Sequence, residues 1–235
     1  MSSIELLALA LLLPVAAAGL VALFNRRPNL REAASLLAAA GTFAAIAGLS
    51  SGVLAGERPA LRLGEILPGL AIAFEVEPLG LLFALIASGL WFVSGIYSIG
   101  YMRGNDEAHQ ARFYVCFALA IAGALGVAFS ANLLTLYLFY ELLTFVTYPL
   151  VTHHGDEKAR QGGRTYLGLL LLSSMFFLLP AMIATWWVAG TLDFTPGGIL
   201  GGKVGGAAAA GLLALYAFGI GKAALMPLHR WLPGC

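Results

Sequence analysis

The sequence contains very few charged residues for its length. Only 11% of its 235 residues are Asp, Glu, Lys or Arg, whereas 60% are hydrophobic. A soluble domain carries about 25% charged residues, so this chain lacks the groups needed to cover a water-facing surface. We therefore expect an integral membrane protein, surrounded over most of its length by lipid.

Cysteine and net charge are also scarce. The two cysteines are Cys116, in an apolar run, and Cys235, and their separation fits neither a metal site nor a redox motif. A formal net charge of +1 argues against a nucleic-acid partner. No nucleotide, flavin, quinone or iron–sulfur motif is visible. We therefore expect no cofactor, no metal and no catalytic residue in this chain.

Long apolar stretches predict an all-α, polytopic transmembrane bundle. A helix needs about 20 apolar residues to cross the hydrocarbon core. The first stretch has that length and no basic region before it, so we interpret it as an uncleaved helix rather than a signal peptide. Seven stretches reach or approach the required length: 4–24, 33–54, 79–101, 113–129, 133–151, 166–189 and 206–227.

A shorter apolar segment, residues 66–74 (ILPGLAIAF), precedes the third span. It is too short to span and contains Pro68, so it is expected to lie at the interface or to form a hairpin. Pro78 suits the first turn of the next helix, and Glu77 suits the positive end of its dipole. We therefore expect Glu77 to cap that helix.

The basic residues are distributed unevenly between the two sides of the predicted bundle. Three lie on one side, namely Arg58, Arg62 and Lys203. By the positive-inside rule, the odd-numbered loops face the cytoplasm and the N-terminus faces outward. Nine lie on the cytoplasmic side: Arg26, Arg27, Arg31, Arg103, Arg112, Lys158, Arg160, Arg164 and Arg230.

A glutamate, Glu141, interrupts the fifth apolar span. At 100° per residue, a polar face of Tyr137, Thr144 and Tyr148 falls within about 60° of it. An ionisable group at the bilayer centre costs about 2.5–3.5 kcal/mol, and such groups usually face the bundle interior and handle ions or protons. The alternative is a protonated glutamate that only holds two helices together.

A lysine, Lys222, lies in the seventh span. Gly219, Gly221 and Pro227 surround it, and these residue types predict a broken or kinked helix. In transporters, broken helices mark ion sites. Alternatively, Lys222 extends to the cytoplasmic interface. His229 would share the Lys222 face of a straight helix, where it either relays protons or caps the helix end.

Three segments resemble the proton-conducting antiporter-like membrane subunits: residues 75–102 (EVEPLGLLFALIASGLWFVSGIYSIGYM), 136–151 (LYLFYELLTFVTYPLV) and 221–233 (GKAALMPLHRWLP). That family includes the antiporter-type subunits of respiratory complex I, the D-type and A-type subunits of multi-subunit cation/proton antiporters, and relatives in membrane hydrogenases. The resemblance implies that Glu141 and Lys222 form the charge pair at the entrance of a proton path. Glu77 stands where relatives often have Asp.

The resemblance also implies an incomplete fold. Relatives have roughly fourteen helices built as two inverted repeats. This chain is therefore expected to be a truncated or split member that needs another polypeptide. Residues 1–76 would form a two-helix segment plus an external loop, and residues 77–235 a partial proton-conducting domain with helices three to seven.

The function implied by the resemblance is proton translocation, or exchange of cations for protons, in a prokaryotic inner or plasma membrane. The partners would be other membrane subunits, protons and the lipid bilayer, with Na⁺ as an alternative coupling ion. The chain would be one subunit of an NADH:quinone oxidoreductase-type translocase without redox chemistry of its own. The competing alternatives are a partner of a carbon-uptake protein and a structural subunit that does not conduct protons.

Overall fold

The structure is a computed structural model that describes residues 1–67 and 69–232. Pro68, Pro233 and Cys235, considered above, lie outside these residues. The predicted all-α bundle is confirmed, with a small two-stranded sheet in addition. The described helices are α1 (Ser3–Leu23), α2 (Pro28–Leu54), α3 (Pro78–Gly104), α4 (Gln110–Ala128), α5 (Leu133–Val151), α6 (Glu157–Ser173), α7 (Leu179–Ala189) and α8 (Gly206–Gly219).

Six of the predicted spans correspond to helices that are long and apolar enough to cross a membrane, and α8 is a shorter apolar helix. The sixth span ends at Ala189 as predicted but begins at Glu157, earlier than predicted, and α6 and α7 continue into each other through a π-helical segment, Ser174–Leu178. It begins at Glu157 because the side chain of Asp156 accepts a hydrogen bond from the Ala159 backbone N–H, at 2.6 Å.

Several basic residues assigned to loops lie on helices instead. Lys158, Arg160 and Arg164 occupy the first turns of α6. Arg31, Arg103 and Arg112 lie on α2, α3 and α4, respectively. Charged residues extend a helix beyond its apolar stretch because the backbone hydrogen bonds of a helix do not depend on hydrophobic side chains. An apolar run therefore underestimates the length of a membrane helix.

The short apolar segment before the third span forms a hairpin, one of the two predicted alternatives. Its strands are β1 (Ala60–Leu67) and β2 (Leu70–Glu75). Pro78 opens α3 and Glu77 is its N-cap residue, as predicted. The Glu77 side chain makes no capping hydrogen bond, because Glu is longer than the Ser, Thr, Asp and Asn side chains that reach the first amides of a helix.

One compact unit comprises Met1–Arg62 and Ala73–Ser130 and contains α1 to α4. Its first helix starts with a capping box, in which Ser2 and Glu5 each accept a hydrogen bond from the other's backbone N–H. The helices α1 and α2 pack together, and small side chains such as Ala10 of α1 and Ala39 of α2 are buried. The bulkiest buried side chains of this unit are Trp91 and Tyr114.

The second compact unit comprises Leu63–Ile72 and the chain from Ala131 onward, and it contains α5 to α8. Asn132 starts α5, because its side-chain oxygen accepts a hydrogen bond from the Thr135 N–H at 2.8 Å. The same side chain donates to the Ala71 carbonyl at 2.9 Å, so a buried amide is satisfied at both ends.

A π-helical segment interrupts the long helix of this second unit. It ends directly before Leu179 and Pro180, the first residues of α7. Proline donates no backbone hydrogen bond and clashes with the preceding turn, and a wider π turn relieves that clash. Next to this segment the predicted interruption of the seventh span is observed, since α8 ends at Gly219 and short 3₁₀ turns follow it.

Candidate functional site

Lys222 lies against α5, immediately after the end of α8. Its Nζ donates to the Tyr140 carbonyl at 2.8 Å and to Thr144 Oγ1 at 2.6 Å. The same nitrogen lies 3.3 Å from the centroid of the Tyr140 ring. The backbone N–H of Lys222 donates to the Tyr140 hydroxyl at 3.1 Å. Polar groups of α5 therefore bind both the side chain and the backbone of this lysine.

Glu141 follows Tyr140 on α5, but its carboxylate has different surroundings. Both of its oxygens are buried, and neither has a hydrogen-bond partner within the part of the chain that the structure describes. No direct ion pair joins it to Lys222 among the described residues, although the two side chains are near enough to interact electrostatically. Both oxygens can therefore accept a hydrogen bond or receive a cation without first releasing a partner in the described part of the chain.

The residues predicted to support Glu141 do not hydrogen-bond to it. Thr144 lies in the site but accepts its hydrogen bond from Lys222. Tyr148 packs beside Gly163 of α6, and Tyr137 is partly buried. The structure therefore brings Thr144 and Lys222 together and leaves the Glu141 carboxylate beside them.

Hydrogen bonds and ring packing connect the interrupted end of α8 to neighbouring helices. The Gly221 carbonyl accepts a hydrogen bond from Trp231 Nε1 at 3.1 Å. The Trp231 ring packs edge-to-face against Tyr166 of α6, with 5.6 Å between centroids. The Tyr166 hydroxyl lies 2.6 Å from Thr147 Oγ1 on α5. These contacts fix the backbone on the N-terminal side of Lys222.

The two glycines of the break allow close contact with the long helix. A Cβ at Gly219 would lie 2.7 Å from the Leu178 backbone nitrogen, and a Cβ at Gly221 would overlap Ser173 Oγ. The absence of a side chain at both positions therefore lets the end of α8 approach the long helix this closely.

His229 and Pro227 follow the break and have exposed side chains. His229 lies in the 3₁₀ turn Leu228–Trp231. The helix α8 ends before Lys222, so Lys222 and His229 do not share a helical face as they would on a straight helix. Its place on a proton path stays a prediction.

A buried ionic cluster in the first unit was not anticipated. Glu32 is 4% exposed and accepts hydrogen bonds from Arg31, at 3.2 Å, and from Arg103 Nε, at 3.0 Å. Arg31 also donates to Gln110 at 2.7 Å, and its guanidinium carbon lies 5.4 Å from the Tyr114 ring centroid. The available signal was one acidic residue, Glu32, directly before the apolar run at 33–54.

The fold and the site define a class of protein: a polytopic membrane bundle with a buried carboxylate and a lysine beside an interrupted helix. A family model described as "NADH:quinone oxidoreductase/Mrp antiporter, TM" matches residues 130–235. A second, described as "NADH-Ubiquinone oxidoreductase (complex I), chain 5 N-terminus", matches residues 69–114. The chain therefore belongs to the antiporter-like membrane subunit family of complex I and Mrp antiporters.

Individual relatives agree with this assignment. NAD(P)H-quinone oxidoreductase chain 5 of Synechocystis is 30% identical over 70% of this chain and 25% of its own length. The A-type subunit of the Na⁺/H⁺ antiporter from Alkalihalophilus pseudofirmus is 31% identical over 71% of this chain and 21% of its own length. The chain thus spans about a quarter of the length of these curated relatives.

Two solved structures have the same fold. One is the membrane-bound sulfane sulfur reductase, an archaeal respiratory membrane complex, with a TM-score of 0.83 and 21% identity over 99% of this chain and 47% of that chain. The other is the Mrp complex from Dietzia sp. DQ12-45-1b, with a TM-score of 0.75 and 21% identity over 99% of this chain and 43% of that chain.

Proposed function

We propose that this chain is part of a membrane subunit that translocates protons, or exchanges cations for protons, within a multi-subunit complex. Glu141 and Lys222 carry the proton at this site, and His229 extends the path. The relatives named above, from an oxidoreductase and from an antiporter, support this class of complex. Other membrane subunits are its partners, and Na⁺ is the coupling ion in the antiporter version of the proposal.

The observation that carries the proposal is the buried Glu141 carboxylate without a hydrogen-bond partner. A structural carboxylate in a membrane is normally hydrogen-bonded or paired, because leaving it unsatisfied is costly. Glu141 instead lies beside a lysine that is bound to other groups. A carboxylate in this position can accept a proton without first breaking a structural hydrogen bond.

Electrostatics couples the two groups. A carboxylate and an ammonium about 4 Å apart attract each other by about 4 kcal/mol at an effective dielectric constant near 20. Movement of the Lys222 amine between Thr144 and Glu141 would change that attraction, and with it the charge state that each group favours. Such a movement would link the position of the amine to proton uptake and release.

The test replaces Glu141 by Gln in the assembled complex and measures proton flux per complex in membrane vesicles. We expect flux to fall by at least about tenfold, since a group that must exchange a proton has been removed. Glu65→Gln, which changes an exposed glutamate of β1, is the matched control and should leave flux unchanged. Normal flux in the Glu141→Gln complex would refute the proposal.

A structural role is the second candidate function. The contacts of Lys222 with Tyr140 and Thr144 favour it, because they join the end of α8 to α5 regardless of any transport. In that case Lys222→Met, which removes the side-chain contacts, would lower the amount of assembled complex, and Glu141→Gln would leave the flux per complex unchanged. A loss of flux at constant assembly excludes the structural alternative.

We also propose that the N-terminus faces outward and that the basic loops face the cytoplasm of a prokaryotic cell. Single cysteines at His154 and Thr195, in a chain without Cys116 and Cys235, test this orientation. Both positions are exposed, and neither has the positive φ of the adjacent Gly155 and of Gly197. An impermeant reagent should label only the Thr195→Cys variant in intact cells, and labelling of the His154→Cys variant alone would reverse the orientation.

A further inference from the structure

We propose that Tyr140 is a positioning residue that holds the Lys222 amine at Thr144 and away from the Glu141 carboxylate. This inference rests on the proposed function of the Glu141 and Lys222 site. It adds a residue that the periodicity of the fifth span did not select, and it assigns that residue control over where the amine lies.

Two of the three N–H donors of the Lys222 amine are bound to groups other than Glu141 in the observed arrangement. An ammonium has three N–H donors and no acceptor. Here one N–H reaches the Tyr140 carbonyl, a second reaches Thr144 Oγ1, and the Tyr140 ring face lies 3.3 Å from the nitrogen. The negative face of an aromatic ring attracts a cation. These three contacts hold the amine beside Tyr140 and Thr144, and a movement towards Glu141 would weaken them.

Tyr140 also binds the backbone at the break. Because α8 ends at Gly219, the Lys222 N–H lies beyond the last helical turn and has no helical carbonyl partner. The Tyr140 hydroxyl accepts this N–H at 3.1 Å. An unsatisfied backbone donor in a membrane is costly, so this hydroxyl stabilises the interrupted conformation. The Tyr140 side chain therefore contacts both the amine and the backbone N–H of Lys222.

The positions of Tyr140 and Glu141 on α5 define the direction in which the amine must move. Tyr140 and Glu141 are consecutive, so their side chains leave the helix about 100° apart. Thr144 lies between them in angle but is fully buried and binds the amine together with Tyr140. The observed position of Lys222 is therefore on the Tyr140 side, and transfer to Glu141 requires a sideways movement across Thr144.

The test measures how fast a membrane-permeant amine-acylating reagent modifies Lys222 in the complex in its native membrane, read by mass spectrometry. Tyr140→Leu removes the ring and the hydroxyl, so we expect acylation of Lys222 to accelerate about tenfold. Tyr140→Phe keeps the ring and should remain within about threefold of the original rate. Lys158, an exposed lysine on α6, is the internal reference and should react equally in all variants.

Tyr97→Leu is the matched control, because Tyr97 is an exposed tyrosine of α3 in the first unit. It should leave the acylation of Lys222 unchanged. If Tyr140→Leu prevents assembly, Tyr140→Met also removes the ring and the hydroxyl while keeping a large apolar side chain, and the same acceleration is expected. An unchanged rate in the assembled Tyr140→Leu complex, or in Tyr140→Met if that complex is needed, would overturn the inference.

The acylation experiment does not measure transport. A normal proton flux in Glu141→Gln would refute the proposed function and leave the acylation result standing. Conversely, unchanged acylation in Tyr140→Leu with a flux that still depends on Glu141 would refute only the positioning role.

Discussion

Glu32 in the first unit and Glu141 in the second are both buried carboxylates of a largely hydrophobic chain, but their partners differ. Glu32 accepts hydrogen bonds from two arginines, Arg31 and Arg103. Both oxygens of Glu141 lack a partner within the described residues, although Lys222 is nearby. A carboxylate with two guanidinium partners stabilises a structure, whereas one without a partner can change its protonation state without breaking hydrogen bonds.

The comparison also distinguishes two uses of a basic side chain. Arg31 and Arg103 are bound to the carboxylate itself, and guanidinium groups stay charged at any physiological pH. Lys222 binds neutral groups of Tyr140 and Thr144 instead. Lysine is the base that loses its proton more readily when buried. The first arrangement suits permanent attachment between helices, and the second suits exchange.

The largest effect on stability is expected for Glu32→Gln. It removes the negative charge, replaces one of the two acceptor oxygens by an NH2 donor and leaves Arg31, 4% exposed, without its charged partner. Breaking a buried ion pair on one side costs about 3–5 kcal/mol. The midpoint of thermal unfolding in detergent, followed by circular dichroism, should fall strongly. A midpoint as high as that of the original chain would remove the basis for calling this cluster structural.

A smaller loss is expected for Gly219→Ala. The new methyl group would lie 2.7–2.8 Å from backbone and Cβ atoms of Leu178, which cannot rotate away. Overpacking of this kind costs about 1–3 kcal/mol. The same thermal measurement tests it, with Gly211→Ala of α8, which has open space around it, as the control. Equal midpoints for the two variants would contradict the close contact.

Gly221→Ala should cost less than Gly219→Ala. Its methyl group would meet the hydroxyl oxygen and, at 2.9 Å, the Cβ of Ser173. The oxygen can rotate away or be removed, so Ser173→Ala should recover part of the loss in the double variant. A double variant no more stable than Gly221→Ala would show that the Ser173 hydroxyl does not set the cost.

The smallest effect on stability is expected for Glu141→Gln. No hydrogen bond to the protein is lost, so the change in the free energy of unfolding should stay within about 1 kcal/mol. An unchanged midpoint of thermal unfolding together with a loss of proton flux would distinguish the role of Glu141 from that of Glu32. A loss of stability as large as that of Glu32→Gln would remove the distinction between the two carboxylates.

Much of the fold could be predicted because length and hydrophobicity determine which segments can span a bilayer. Glu141 and Lys222 could also be found, since an ionisable group is conspicuous in an apolar run. Tyr140 could not, because it lies about 100° from Glu141, outside the 60° arc taken as the polar face. Tyrosines also occur on apolar surfaces, so the residue type alone gives no signal.

The ionic cluster of the first unit was not predictable for a different reason. Arg103 is 71 positions from Glu32 in the sequence, and only the packing of α2 beside α3 brings them together. Counting basic residues for orientation treated Arg31 and Arg103 as loop charges. Arg31 is nearly fully buried. Charge counting therefore predicts an orientation but does not reveal which groups the basic residues bind.

The indole of Trp231 provides an optical probe of the interrupted helix. Its N–H donates a hydrogen bond to the carbonyl of Gly221, which is the residue before Lys222. The chain contains four tryptophans, and the other three are Trp91, Trp186 and Trp187. With those three replaced by phenylalanine, the fluorescence of the chain would come from one residue. Changes in its emission would then report, in real time, when the carbonyl beside the lysine releases its donor.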